Sequence, residues 1–189
     1  AVQANEAARG LEEGGQRERW WRAQLERHGL AGEFQVVQGD AVEALCHAAR
    51  WSDLVVAERP CANPDAPVGW GIASRTVFGS SAPVVVVPEG ARVDRVGEHM
   101  LVAWNPLGTE NLPAIDLRAW FGRRGIHASF VAFKPEKDHG PALLEAANKA
   151  DANLIVVGAW GQSRIAELVL GGVTRHLFQH SNLPMLVAH

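Results

Sequence analysis

The fold is decided by the stretch Leu154-Ile155-Val156-Val157-Gly158-Ala159-Trp160-Gly161, an apolar run that passes directly into two glycines. Four apolar residues in succession, three of them β-branched, are typical of a strand in a parallel sheet covered on both faces. Glycines at the strand end allow a turn with positive φ and a close approach of another group to the main chain. A second pair, Gly171-Gly172, precedes a predicted helix over residues 173–180. Because the first N–H groups of a helix lack internal acceptors, this stretch predicts a phosphate-binding strand end.

Composition limits the class of protein. The chain has 189 residues, of which 47% are apolar and 21% charged, with a net charge of -3, as is ordinary for a soluble globular protein. This charge predicts no broad surface for nucleic acid or anionic membrane, and the longest apolar run, residues 83–88, is too short to span a bilayer. Cys46 and Cys61 form no CxxC motif, which argues against a zinc site and favours a reducing, cytoplasmic compartment.

The chain repeats itself at an offset of about one hundred residues. Asp53-Leu54-Val55-Val56 aligns with Asn153-Leu154-Ile155-Val156, and Gly71-Ile72-Ala73-Ser74-Arg75 aligns with Gly171-Gly172-Val173-Thr174-Arg175. Two further matches join residues 34–37 to 130–133 and residues 82–86 to 183–187. We therefore predict two units, residues 1–90 and 91–189, with a polar linker over residues 89–97.

Helices alternate with short apolar strands in each copy, which predicts an α/β fold with a parallel sheet and helices on both faces. A helix is predicted over residues 16–28 of the first copy. For the second copy the predicted helices span residues 112–124, 141–150 and 173–180, and the predicted strands span residues 99–104, 127–133, 153–157 and 185–188.

One connection is too short for this scheme. Only seven residues, 105–111, separate the strand at 99–104 from the helix at 112, whereas a parallel crossover needs about a dozen. The first copy also begins in a helix without an opening strand. We therefore expect segments to be missing from this sequence near residues 105–111 and before Ala1.

The spacing Gly158-x2-Gly161-x9-Gly171 resembles the nucleotide-binding signature of the universal stress protein family. Residues 161–176 are similar to bacterial tandem members in particular, and the repeat extends the resemblance over nearly the whole chain. The resemblance implies two tandem units of an adenine-nucleotide-binding, Rossmann-like fold and a role in stress survival without a defined reaction.

The resemblance also implies a binding site in the second copy. In ATP-binding members, the signature glycines face the ribose and phosphates of the nucleotide, and the three residues after the last glycine close around the phosphates. The implied nucleotide-binding set is Gly158, Gly161, Gly171, Gly172, Val173, Thr174 and Asn105. Two members depart from the family pattern, because Gly172 replaces a Ser or Thr and Asn105 replaces an acidic residue.

The first copy carries Glu58 and Cys61 where the second has Gly158 and Gly161. The glycines needed for a tight turn and close approach are lost, and a carboxylate would repel phosphate. We therefore predict that the first copy binds no nucleotide.

Each site residue also has a purely structural interpretation. Gly158 and Gly161 could only shape a turn, and Thr174 could cap its own helix instead of binding phosphate. Arg175 matches Arg75 in the copy predicted to be empty, which favours a structural role for both. His176 and His180 have the four-residue spacing of metal ligands but no third ligand beside them in the sequence, so surface histidines are the preferred interpretation.

The sequence contains neither a GxxxxGK[ST] motif nor a G-x-S-x-G motif, and no catalytic triad is recognisable. The predicted function is that of a non-enzymatic, cytoplasmic stress-response protein that binds ATP or another adenine nucleotide, with Mg if ATP is bound. A homodimer, or pairing of the two units through their last strands, is expected, and no nucleic-acid or membrane partner. The alternatives are a nucleotide-free scaffold and, less favoured, an ATP-using enzyme of the same superfamily, because residues 105–109 do not resemble a serine-rich phosphate loop.

Overall fold

The computed structural model describes residues 2–60, 71–91, 94–104, 116–133, 138–158 and 172–188. The chain packs as two compact units, Ala1–Ala44 and Leu45–His189. The predicted division into residues 1–90 and 91–189 follows the repeat instead of this packing, and it stays a prediction.

The first unit is dominated by helix α1, Val2–His28, which is longer than the predicted helix over residues 16–28. An ion pair between Arg22 and Glu18, 2.6 Å apart and one turn from each other, lies on its surface. The helix ends at Gly29, whose φ of 62° is left-handed, and Leu30 N–H donates to the Leu25 carbonyl at 2.9 Å. This bond belongs to a Schellman-type ending, which explains why a glycine follows the helix.

The predicted strand over residues 127–133 is wrong, and the segment that matches it in the first copy, residues 34–37, forms no strand either. Residues 34–37 and 127–133 are described, and neither segment has regular secondary structure. Val36 is 55% exposed and Val131 is 85% exposed. Without a neighbouring strand to accept its N–H groups, a β-type sequence remains solvated and irregular, because a strand is stabilised by its ladder and not by local preference.

The remaining helices and strands follow the predicted order. Asp40 caps α2 by accepting from the Val42 and Glu43 N–H groups at 2.8 and 3.0 Å. Asp116 caps α4 by accepting from the Ala119 N–H at 2.9 Å, so the described helix begins later than predicted. The elements are α2 Ala41–Ala49, β1 Val55–Arg59, α3 Ile72–Gly79, β2 Val84–Pro88, β3 Met100–Ala103, α4 Leu117–Gly122, α5 His139–Lys149, β4 Leu154–Gly158, α6 Gly172–His180 and β5 Met185–Ala188.

The strands form one five-stranded sheet in the order β1-β2-β5-β4-β3. Within each copy the pairing is parallel, as predicted, between β1 and β2 and among β3, β4 and β5. The two sets meet through an antiparallel pair, β2 with β5. The prediction of a purely parallel sheet in each unit is therefore corrected to one mixed sheet, because the last strands of the two copies pair with each other.

The same local geometry recurs at the repeat offset. Val55 N–H donates to the Pro83 carbonyl at 2.9 Å, and Ile155 N–H donates to the Pro184 carbonyl at 3.0 Å. Before each last strand a buried serine hydroxyl donates to the carbonyl two residues on, at 2.7 Å for Ser80 and 2.9 Å for Ser181. Matching sequences thus build matching turns in both copies.

The antiparallel pair has local two-fold symmetry. Val84 lies opposite Val187, and Val86 lies opposite Met185. The repeat offset of 101 relates Val84 to Met185 and Val86 to Val187. Each strand therefore pairs, in the antiparallel direction, with its own counterpart from the other copy. All four side chains are at most 1% exposed, which puts the centre of the core at this junction.

Helix α3 contacts β1 and β2, and α5 contacts α6. At the contact of α5 with α6, a Cβ on Gly140 would lie 2.5 Å from the His176 Cβ, so the two backbones approach closely there. No described helix is both long and apolar enough to cross a membrane. The connection expected to lack a segment, at residues 105–111, lies outside the described residues.

Candidate functional site

Gly158 ends β4 and is exposed. Its φ is not left-handed, so the freedom of glycine to adopt positive φ is not used at this position. A Cβ built on Gly158 would meet no atom within 4 Å. Among the described residues, neither backbone conformation nor packing therefore requires a glycine here.

The residues after the second glycine pair open helix α6. Gly172 is exposed and has open space where a Cβ would be, Val173 is half-buried, and Thr174 is buried. These three residues form the first turn, whose N–H groups have no acceptor within the helix. Backbone donors and the positive end of the helix dipole suit an anion at this point.

The alternative that Thr174 caps α6 is wrong, because the helix begins at Gly172 and Thr174 is its third residue. Its counterpart in the first copy, Ser74, is also buried, and its hydroxyl donates to the Gly71 carbonyl at 3.0 Å. This correspondence favours a structural role for the Thr174 side chain. The backbone N–H of Thr174 is then the group available to a phosphate.

Three of the predicted nucleotide-binding residues, Asn105, Gly161 and Gly171, lie outside the described residues. Strand β3 ends at Ala103, two positions before Asn105, and Ala103 pairs with Val157, one position before Gly158. The structure thus brings the carboxyl ends of β3 and β4 together, where ligands of open α/β sheets characteristically bind.

The matching strand end of the first copy is chemically different. Glu58 presents an exposed carboxylate where the second copy has Gly158. The next residue, Arg59, is half-buried, and its guanidinium donates to the carbonyls of Phe178 and Ser181 at the C-terminal end of α6. A cation there also complements the helix dipole. This contact was missed from sequence, where the only signal is that Arg59 aligns with Ala159.

The histidine pair is part of the packing. The rings of His176 and His180 stack with centroids 4.1 Å apart, and His180 Nδ1 lies 3.0 Å from the His176 carbonyl oxygen. Among the described residues no group of three His, Cys, Asp or Glu side chains could hold a metal ion.

A groove of about 350 Å³ lies in the first unit. It is lined by Glu13, Gly14, Arg17 and residues 34–37.

The comparisons agree with the fold. The family model described as the universal stress protein family matches residues 119–189. The crystal structure of a universal stress protein from Archaeoglobus fulgidus superposes with a TM-score of 0.70 at 18% identity, covering 94% of this chain and 76% of the other. A protein of unknown function from Pseudomonas aeruginosa gives a TM-score of 0.58 at 12% identity, covering 92% and 77%. No protein with a curated description matches the chain in sequence.

The structural likenesses establish the fold, and the family match lies within the copy that carries the glycine signature. Residues 119–189 therefore form a domain of the universal stress protein family.

Proposed function

We propose that this chain is a non-enzymatic stress-response factor that binds an adenine nucleotide, ATP with Mg, at the carboxyl end of β4. The observation that carries the proposal is the open space at the Gly158 Cβ position, where nothing in the described part of the chain requires a glycine. A missing Cβ at an exposed strand end suits a ligand that approaches the main chain.

The phosphates would lie on the N–H groups of the first turn of α6. Gly172 leaves that turn uncovered, since a Cβ there also meets nothing within 4 Å. The loss of the hydroxyl found in the family pattern leaves the backbone donors in place, and these suffice to hold an anion at a helix start.

We further propose that the chain consists of two units of this fold, residues 1–90 and 91–189, and that the first is structural. The recurring hydrogen bonds at Ser80 and Ser181 support two copies of one design. The exposed Glu58 at the first strand end would repel phosphate, and the adjacent Arg59 is engaged with α6.

The second candidate is a nucleotide-free scaffold of the same fold. It is favoured by the buried side chain of Thr174, which leaves no hydroxyl at the helix start for a phosphate. The two candidates differ in whether the intact chain binds ATP.

The deciding experiment is isothermal titration of the intact chain with ATP in the presence of Mg, repeated on Gly158→Val. Valine is a good strand former, and its Cβ lies in open space, so the fold should be kept while the branched side chain blocks a nucleotide. We expect saturable binding by the intact chain and at least a tenfold weaker affinity in the variant, equivalent to about 1.4 kcal/mol.

Gly122→Val is the matched control, because Gly122 is also exposed, has no left-handed φ and has open space at its Cβ. It should bind ATP like the intact chain. Absence of binding by the intact chain would leave the scaffold, and equal affinities in all three proteins would put the nucleotide elsewhere.

A further inference from the structure

Two histidines of α6 have no part in the proposed nucleotide site. His176 and His180 follow the first turn of the helix at residues 172–174 and lie in its later turns. Residues four apart in a helix are neighbours on the same face. This is the spacing at which two histidines of one helix bind a single metal ion. The pair therefore has the placement along the helix that two ligands of one ion require.

The structure also brings the two imidazole rings together. Their centroids are 4.1 Å apart, and the ring planes are 18° from parallel. Two nitrogens that bind one Zn²⁺ ion, each at about 2.1 Å, are no more than about 4.2 Å apart. Rotation of a ring about its side-chain bonds therefore brings one nitrogen of each ring within reach of the same ion.

A hydrogen bond determines which nitrogen of His180 can be the ligand. Its Nδ1 lies 3.0 Å from the His176 carbonyl oxygen. Because a carbonyl oxygen only accepts, Nδ1 carries the proton, and the lone pair of the neutral ring is on Nε2. Histidines that bind metals usually donate their second ring nitrogen to a carbonyl or a carboxylate in this way.

The two rings differ in how firmly they are held. A Cβ on Gly140 of α5 would lie 2.5 Å from the His176 Cβ and 2.6 Å from its Cγ, so His176 packs directly on the backbone of α5. His176 is half-buried, whereas His180 is exposed. One ligand is thus held by packing and the other can adjust to the ion. Binding then costs less side-chain entropy than it would for two exposed histidines.

Imidazole nitrogen selects the kind of ion. It suits Zn²⁺, Cu²⁺ and Ni²⁺, whereas Mg²⁺ prefers oxygen ligands, so the Mg of the proposed nucleotide site would not compete here. The described residues provide no group of three His, Cys, Asp or Glu side chains that could hold a metal. Water would therefore complete the coordination, and the ion would exchange more readily than in a closed site with four protein ligands.

From these observations we infer that His176 and His180 form a two-histidine binding site for a divalent transition-metal ion of the Zn²⁺, Cu²⁺ and Ni²⁺ group. The ion lies on the surface of α6 and is bound by one nitrogen of each ring, which is Nε2 for His180. The site uses no group of the proposed nucleotide site, so the two can be tested separately.

Isothermal titration of the untagged chain with Zn²⁺, in the absence of nucleotide, tests this inference together with the variant His180→Asn. His180 is exposed, so its substitution leaves the buried side chains of α6 in place. We expect saturable binding of one ion per chain and at least a tenfold weaker affinity in the variant, equivalent to about 1.4 kcal/mol.

His28→Asn is the matched control. His28 is also exposed and is also the last residue of its helix, but Gln24 lies one turn before it where α6 has a second histidine. This variant should bind Zn²⁺ like the intact chain. The inference would be overturned by an intact chain without saturable binding, by equal affinities in all three proteins, or by a loss in His28→Asn alone.

Nuclear magnetic resonance of the intact chain tests the same site without a substitution, and it decides the question if His180→Asn loses its circular dichroism signal. Cu²⁺ is paramagnetic and binds nitrogen ligands more tightly than Zn²⁺, so a small fraction of an equivalent broadens the signals of the ligating rings first. We expect His176 and His180 to broaden together, before His28 and His47. Uniform broadening, or broadening that begins at another histidine, would contradict the site.

Discussion

Some aligned positions have the same structural role in the two copies, and others differ. Ser80 and Ser181 make the same hydrogen bonds before the last strands, and Ser74 and Thr174 are both buried at the helix start. These positions serve the fold. At the preceding strand end, Glu58 replaces Gly158, and the position is exposed in both copies. The exposed difference at this strand end is consistent with the proposed site in the second copy alone.

Arg59→Ala should destabilise the unit formed by Leu45–His189. The variant loses charged hydrogen bonds to the Phe178 and Ser181 carbonyls, and we expect the free energy of unfolding in urea to fall by about 2 kcal/mol. Arg59→Lys keeps the charge near the helix end but loses the second donor of the guanidinium group. Its free energy of unfolding should therefore lie between those of the intact chain and Arg59→Ala. A loss smaller than about 0.5 kcal/mol in Arg59→Ala, as for an ordinary surface position, would contradict the contact.

A strand in this protein is defined by its neighbours. Residues 127–133 have a β-type composition and were predicted as a strand, yet they form no ladder in the structure. Phe130 instead lies against α4, with its ring 6.4 Å from that of Phe121 and the Arg118 guanidinium 4.5 Å from its centre. This segment therefore contacts the preceding helix through side chains instead of pairing with a described strand.

Met185→Ala and Met100→Ala compare one tetrapeptide, Met-Leu-Val-Ala, in the two environments of β5 and β3. Met185 is fully buried, so its truncation should cost about 3 kcal/mol in the free energy of unfolding. Met100 is half-exposed at the sheet edge, and its truncation should cost about 0.5 kcal/mol. Urea unfolding measures both losses. Equal losses would show that strand position does not decide the energetics here.

On the scale of the molecule, the sheet crosses the predicted boundary at residue 90. Strands β1 and β2 come from the first copy, and β3, β4 and β5 come from the second. At their junction, Val84, Val86, Met185 and Val187 are at most 1% exposed, so the pair of β2 with β5 is part of the core.

A protease site inserted between residues 95 and 96, in the linker, should therefore leave the two fragments together after cleavage. Gel filtration in native buffer should give one peak that contains both fragments, because the antiparallel pair and its core remain intact. Fragments that separate without denaturant would contradict a shared core. The uncleaved protein with the same insertion is the control.

Much of the fold is predictable from the repeat. Strands within one or two residues of β3, β4 and β5 follow from apolar runs, and helices α5 and α6 follow from the segments between them. The pairing of β2 with β5 is not predictable in the same way. From sequence, Val84–Val86 could pair with Met185–Val187 of the same chain or of a second chain. Of the candidate site, sequence indicates Gly158 and Gly172. That Thr174 is buried is visible only in the packed helix.

The sequence by itself indicated most of the strands and helices and a repeat at an offset of about one hundred residues, and it has Gly158 and Gly161 where the first copy has Glu58 and Cys61. Local patterning and backbone freedom decide these features. Only the tertiary structure decided that the strands of both copies share one sheet, that residues 127–133 form no ladder with a described strand, and that Met185 and Val187 are buried in β5 whereas Met100 and Val102 are exposed in β3. The physical reason is that pairing and burial depend on neighbours distant in the chain, which identical tetrapeptides do not specify.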